Sequence, residues 1–178
     1  MNELLPDRWM EIGVATVCVT LVAVVGGLMT EIGAWYEGLR FPSWRPPNWL
    51  FGPAWTLIFL LIATASEMAW ERAPDNASRR WLLILLAING VLNVLWSPLF
   101  FKLRRPDWAL IELLPFWVSI LALLIHIGRV STLAGCLIAP YLAWVTFAGF
   151  LNWRIVQLNK PFGGGPRTAG GDLDRSGR

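Results

Sequence analysis

The sequence predicts an all-α integral membrane protein, a bundle of five transmembrane helices. Three observations carry this. Apolar residues make up 56% of the 178 positions, and the mean hydropathy is +0.52, far from the composition of a soluble domain. The apolar residues fall into five separate runs, each close to the ~20 residues that cross a bilayer core. Twelve tryptophans stand against two tyrosines, and the indole ring suits the membrane interface because it is apolar with one N–H to satisfy. A spanning segment must pair its backbone internally, so runs of this length fit helices rather than barrel strands.

Span one covers 12–30, after an N-terminal segment of residues 1–11 that carries more acid than base and lacks the positive start and small-residue cleavage site of a signal peptide. The run is therefore expected to be retained. Ala23 and Gly27, four apart, allow a second helix to come close. The loop that follows holds the stretch RFPSWRPPNWLFGPAW from Arg40 to Trp55. Proline fixes φ, and the residue before it avoids the helical region. Phe41 to Pro47 is thus an ordered, extended aromatic lid at the membrane interface, and the chain turns helical after Pro47.

Span two covers 49–70, with Glu67 in its last turn. A polar loop from Glu71 to Arg80 follows, with Pro74-Asp75-Asn76 as turn chemistry. Span three covers 81–101. It carries Asn89, Asn93 and Ser97 on one face, which in lipid must look onto protein or a cavity, and Pro98 is expected to kink its end. Span four covers 108–127 and places Glu112 in its first turn, where the helix dipole favours an anion. Span five covers 132–153, interrupted by Pro140, with a small-residue stripe at Gly135, Ala139 and Ala143. The transmembrane domain is therefore set at 12–154. Residues 155–178 read as a disordered glycine-rich tail that cannot bury enough apolar surface to fold.

Basic residues are unevenly shared between the two sides. Arg40, Arg45, Lys102, Arg104, Arg105 and the C-terminal group outnumber Arg8, Arg72, Arg79, Arg80 and Arg129. The positive-inside rule places loop one, loop three and the C-terminus in the cytoplasm. Cys18 and Cys136 lie in apolar runs and form neither metal spacing nor a disulfide framework. His126 is the one histidine, expected near a helix end facing headgroups, so zinc and paired haem ligation are excluded. No metal, no required cofactor and no nucleic-acid partner are expected. A conducting channel is disfavoured because the spans hold no chain of ionisable groups.

Helical spacing aligns Phe51, Trp55 and Phe59 on span two. It aligns Asn93, Trp96 and Ser97 on span three, and Trp144, Ala148 and Leu151 with neighbouring Phe147 on span five. Flat aromatics, one small residue and one amide suit a large, flat, mostly apolar ligand. The plainer alternative is that these faces pack on one another.

Four motifs then meet in order: Trp35-Tyr36, PSWRPPNWLFGPAWT from Pro42 to Thr56, NVLWSPLFF from Asn93 to Phe101, and PYLAWVTFAGFLNW from Pro140 to Trp153. Over roughly Gly26 to Arg154 the chain closely resembles the family of tryptophan-rich sensory proteins and mitochondrial translocator proteins, the peripheral benzodiazepine receptors. The resemblance implies a five-helix fold, usually a homodimer, with a pocket between the helices under the first loop. It implies protoporphyrin IX-class tetrapyrroles and benzodiazepine-site drugs as ligands, in porphyrin or stress regulation. The pocket carried over comprises Trp35, Tyr36, Pro46, Phe51, Trp55, Phe59, Asn93, Trp96, Ser97, Trp144, Phe147, Ala148 and Leu151. Phe59 stands where relatives often have tyrosine, and Asn89 where glutamine is common. In Leu151-Asn152-Trp153-Arg154, tryptophan replaces the tyrosine of the cholesterol motif, which counts against a sterol ligand. Arg40 and Arg45 on the lid are candidates to hold a porphyrin propionate. Two rival functions remain open. One is light-dependent porphyrin degradation with Trp55 and Trp144 as electron donors, and the other is a scaffold that regulates partner membrane proteins without a pocket.

Overall fold

The computed structural model describes residues 32–162 together with Gly27 and Thr30. Span one otherwise lies outside the described residues, as does the chain beyond Phe162. A short helix α1 (Ala34–Glu37) leads into the irregular Phe41–Pro47 stretch and a 3₁₀ turn at Asn48–Leu50. Four long helices follow: α2 (Phe51–Arg72), α3 (Asn76–Ser97), α4 (Pro106–Val130) and α5 (Thr132–Asn159). All four are long and apolar enough to cross a membrane. The expected count of five rests on span one.

Several boundaries differ from the sequence expectation, each for a local reason. The loop expected over Glu71–Arg80 shrinks to Ala73–Asp75. Asp75 accepts a hydrogen bond from the Ser78 backbone N–H at 2.7 Å and caps α3 five residues before the apolar run begins. Helix α4 begins at Pro106, where a missing N–H costs nothing. Glu112 therefore lies in the second turn, not the first, and its side chain is buried. Pro140 does not interrupt α5, which runs continuously past it, since membrane helices tolerate an internal proline. The same helix extends to Asn159, and Ile155 and Val156 are buried. Residues 155–159 thus belong to the bundle rather than to the tail. Arg154, Gln157 and Asn159 broke the apolar run in the sequence while the helix went on.

The kink expected at Pro98 takes a definite form. Pro98 lacks the N–H that would close an ordinary turn, and the chain widens into a π-helix over Pro98–Lys102. Leu103 N–H then bonds Pro98 O at 2.9 Å and Arg105 N–H bonds Leu99 O at 3.1 Å. Arg104 completes the reversal with φ of 54°, in the left-handed region that side chains rarely adopt.

Helix α4 packs between α3 and α5, and α5 also packs on α2. Lipid tails are as apolar as leucine, so close fit and polar pairs hold such helices together. At the α4–α5 connection, a Cβ built on Gly135 would meet the Gly128 Cα at 2.7 Å. The stripe of small residues is therefore split: Gly135 is spent inside the chain, while Ala139 and Ala143 are exposed. Trp117 Nε1 donates to Thr146 Oγ1 at 2.8 Å across the same pair of helices. His126 Nε2 lies 3.1 Å from Ser78 O, which ties α4 to the first turn of α3 rather than aiming the ring at headgroups. Gly135→Ala should drive α4 and α5 apart at backbone level and lower stability by about 1–3 kcal/mol. Thermal unfolding of the detergent-solubilised protein checks this, and an unchanged midpoint would contradict it.

Candidate functional site: an aromatic cavity under the lid

Proline-rich Phe41–Pro47 can form few internal hydrogen bonds, so it is held from outside. Asn159, the last residue of α5, accepts from Arg40 N–H at 2.8 Å and donates to Arg40 O at 2.8 Å. Trp44 meets Phe147 edge-on at 5.8 Å, and Phe41 packs on Tyr36 at 5.0 Å. Tyr36 in turn lies among Phe100 and Phe101 of the π-helix. Lid, π-helix and the end of α5 thus share one apolar cluster with Leu151, Ile155 and Ala109.

Beneath the lid lies a cavity of about 610 Å³, within the usual size of small-molecule sites. It gathers most of the residues singled out in the sequence: Tyr36, Phe51, Trp55, Phe59, Asn93, Trp96, Ser97, Trp144, Ala148 and Leu151. Trp35, Pro46 and Phe147 do not line it. Trp35 packs edge-on to Phe100 at 6.0 Å with Arg104 over its ring. Pro46 is half-buried in the lid. Phe147 is the bridge between Trp44 and Trp144. All three hold the lid or the wall from behind. Arg40 and Arg45 also stand outside the lining. Arg40 contributes its main chain to the Asn159 clamp, whereas Arg45 donates to Asn48 Oδ1 at 2.9 Å, and Asn48 does line the cavity.

Span four was expected to take no part in the wall, yet Leu113 and Phe116 of α4 line it, as do Asn48, Phe100, Phe101, Asn152 and Ile155. For α5 a signal existed: Ile155 follows Leu151 by four and Trp144 by eleven, the same helical face. For α4 none did, because its apolar residues run all round the helix.

The wall's aromatic rings brace each other. Trp55 stacks on Phe59 at 5.5 Å, and Trp96 stacks on Phe100 at 4.9 Å. Trp144 meets Phe51 edge-on at 5.7 Å. The two asparagines of the polar stripe on α3 are satisfied by a directed chain of hydrogen bonds. Phe116 O can only accept, so Ser119 Oγ donates to it, at 2.7 Å. Ser119 then accepts from Asn89 Nδ2 at 2.8 Å, and Asn89 Oδ1 accepts from Tyr141 Oη–H at 3.0 Å. Tyr141 Oη finally accepts from Asn93 Nδ2 at 3.2 Å. The amide orientations follow from the carbonyl at the end of the chain, and the rotamer of Asn93 on the cavity wall is fixed by it. Tyr141→Phe removes the middle link and leaves buried amide groups unpaired, which should cost about 1–3 kcal/mol. Thermal unfolding beside wild type checks the loss, and an equal midpoint would show the chain to be inconsequential.

Among the buried polar atoms without a hydrogen-bond partner in the described residues are Trp96 Nε1 and both carboxyl oxygens of Glu112. The Asn89–Ser119 bond sets the register of antiparallel α3 and α4. Trp96 lies two turns beyond Asn89, and Glu112 two turns before Ser119, so both sit at the level of the cavity. Outside the spans, burial pushes the Tyr36 phenol above its ordinary range, partly offset by the nearby Arg45 guanidinium. It therefore stays a neutral O–H donor.

The TspO/MBR family model matches residues 14–158. The chain belongs to this family. Among its curated relatives, Protein CrtK of Rhodobacter capsulatus is 36% identical over 133 residues, covering 75% of this chain and 83% of that protein. Tryptophan-rich protein TspO of Chlorobaculum tepidum is 38% identical over 129 residues, 70% and 79% of the two chains. The human translocator protein is 34% identical over 134 residues, 75% and 79% of the two chains. With four apolar helices among its described residues, this TspO/MBR member is an integral, multi-pass membrane protein.

Proposed function

We propose that this TspO/MBR protein is a membrane receptor or carrier for flat, largely apolar tetrapyrroles of the protoporphyrin IX class. The same pocket would take benzodiazepine-site drugs. The observation that supports this best is the cavity itself, walled by mutually braced aromatic rings, with the rotamer-locked amide of Asn93 on one side and the aromatic lid packed on Phe147 beside it. A macrocycle stacks on such rings and leaves its two propionates at the mouth, on the side of Arg40 and Arg45. The names of the relatives, sensory protein and translocator protein, fit a role in sensing or limiting free porphyrin. With loops one and three in the cytoplasm, the mouth opens toward that side.

Trp144 lines the cavity and braces Phe51 edge-on. Protoporphyrin should quench tryptophan fluorescence saturably in the dark. Trp144→Ala should weaken binding about tenfold, the scale of one lost aromatic contact with its cavity term. Non-saturable quenching in wild type would leave the scaffold role as the better account.

Trp55 and Trp144, the residues that light-dependent degradation would use, both line the cavity. An indole stacked on an excited porphyrin can give it an electron without a metal. If this operates, bound pigment bleaches under illumination, and Trp55→Phe or Trp144→Phe slows bleaching while dark affinity changes little. A pigment spectrum stable to light in wild type would exclude it.

A further inference from the structure

The mouth of the cavity holds two hydrogen-bond donors aimed at one oxygen. Arg45 donates to Asn48 Oδ1 at 2.9 Å, and Tyr36 Oη–H reaches the same oxygen at 3.5 Å, the limit of a hydrogen bond. Neither donor is free to wander. The Arg45 guanidinium lies 4.0 Å from the Phe41 ring centroid and 5.6 Å from that of Tyr36, positions in which the ring faces attract a cation. Tyr36 is buried and wedged between Phe41 and Phe101. Asn48 is different: it is exposed and sits at the start of the 3₁₀ turn, where its side chain can leave without disturbing a helix.

An amide oxygen carries only a partial negative charge. A carboxylate carries a full negative charge shared over two acceptor oxygens, and its bonds to a guanidinium are about twice as strong as neutral ones. We propose that Tyr36 and Arg45 form a carboxylate subsite at the mouth of the cavity, and that Asn48 is its built-in occupant, displaced when an acid-bearing ligand enters. The inference rests on the tetrapyrrole reading above and deepens it. It assigns the acid contact to Arg45 with Tyr36, the two side chains that converge on Asn48 Oδ1. It also assigns to Asn48 the unexpected role of a competitor. The subsite therefore selects for ligands with a carboxylate at one edge over equally flat, uncharged ones.

The test uses the full-length protein in detergent, in the dark, with protoporphyrin IX and its dimethyl ester as a matched pair. The two differ only at the carboxyl groups, and their different uptake by micelles cancels when the ratio of dissociation constants is compared between variants. Asn48→Ala frees both donors and should tighten the acid about threefold to tenfold relative to the ester. Asn48→Asp supplies a permanent internal carboxylate and should erase the preference for the acid. Arg45→Gln should weaken the acid about tenfold and spare the ester. Tyr36→Phe should move the ratio in the same direction by less. If Asn48→Ala weakens the acid, or all variants shift acid and ester alike, the subsite is overturned while the binding function stands. Failure of both ligands to bind wild type saturably would instead overturn the binding function, and the subsite with it.

Discussion

The Phe41–Pro47 lid cannot hold itself together, and other parts of the chain hold it beside the cavity, between the lining residues Tyr36 and Asn48. Pro42, Pro46 and Pro47 have no N–H to donate, so they can complete neither a strand ladder nor the interior of a helix. One internal bond is available, from Arg45 N–H to Pro42 O at 3.1 Å. The remaining order comes from the Asn159 side chain on both polar atoms of Arg40, from Trp44 on Phe147, and from Phe41 on Tyr36. These contacts join the lid to the last turns of α5 and to the π-helix. The length of α5 past the apolar run and the widening after Pro98 thus have one shared consequence, a seat for the lid.

The bundle is narrow at one end and wide at the other. Near the α4–α5 connection, Gly128 and Gly135 bring backbones into contact, and Ile127, Ala134 and Ile138 are fully buried around them. Toward the lid, Phe51, Trp96, Phe100 and Trp144 replace the small residues. Large rings that brace each other edge-on cannot also fill the space between helices. Between the two ends lies the chain from Asn93 through Tyr141, Asn89 and Ser119 to Phe116 O. It fixes three helices in register, so the width of the cavity above it does not depend on lid packing alone.

Hydropathy and proline chemistry made the helices, the irregular lid and the aromatic faces legible in the sequence, because each depends on neighbours along the chain. The helix faces that share Trp55, Asn93 and Trp144 followed from spacing, and the structure brings them to one cavity. What the sequence hid depends on tertiary contacts. Asp75 starts α3 early by a cap that competes with the apparent turn at Pro74. Ile155 and Asn159 extend α5 through residues too polar for an apolar run to reveal. Leu113 and Phe116 join the wall because α4 is apolar all round, so no face stands out. Phe147 has the right helical face yet is covered by Trp44, a contact between residues about a hundred positions apart.

The central claim is that a ligand enters the aromatic cavity and that the Asn159-held lid closes over it. Amide hydrogen exchange across residues 36–51, with and without saturating protoporphyrin, tests it most directly. In the free protein, Asn159→Ala should speed exchange at Arg40 and through the lid, because the clamp is the lid's main polar anchor. Ligand should slow exchange in the lid and at the start of α2 in wild type, and by less in the variant. Saturable binding with no change in lid exchange would contradict the account, since the ligand would then lie elsewhere on the bundle.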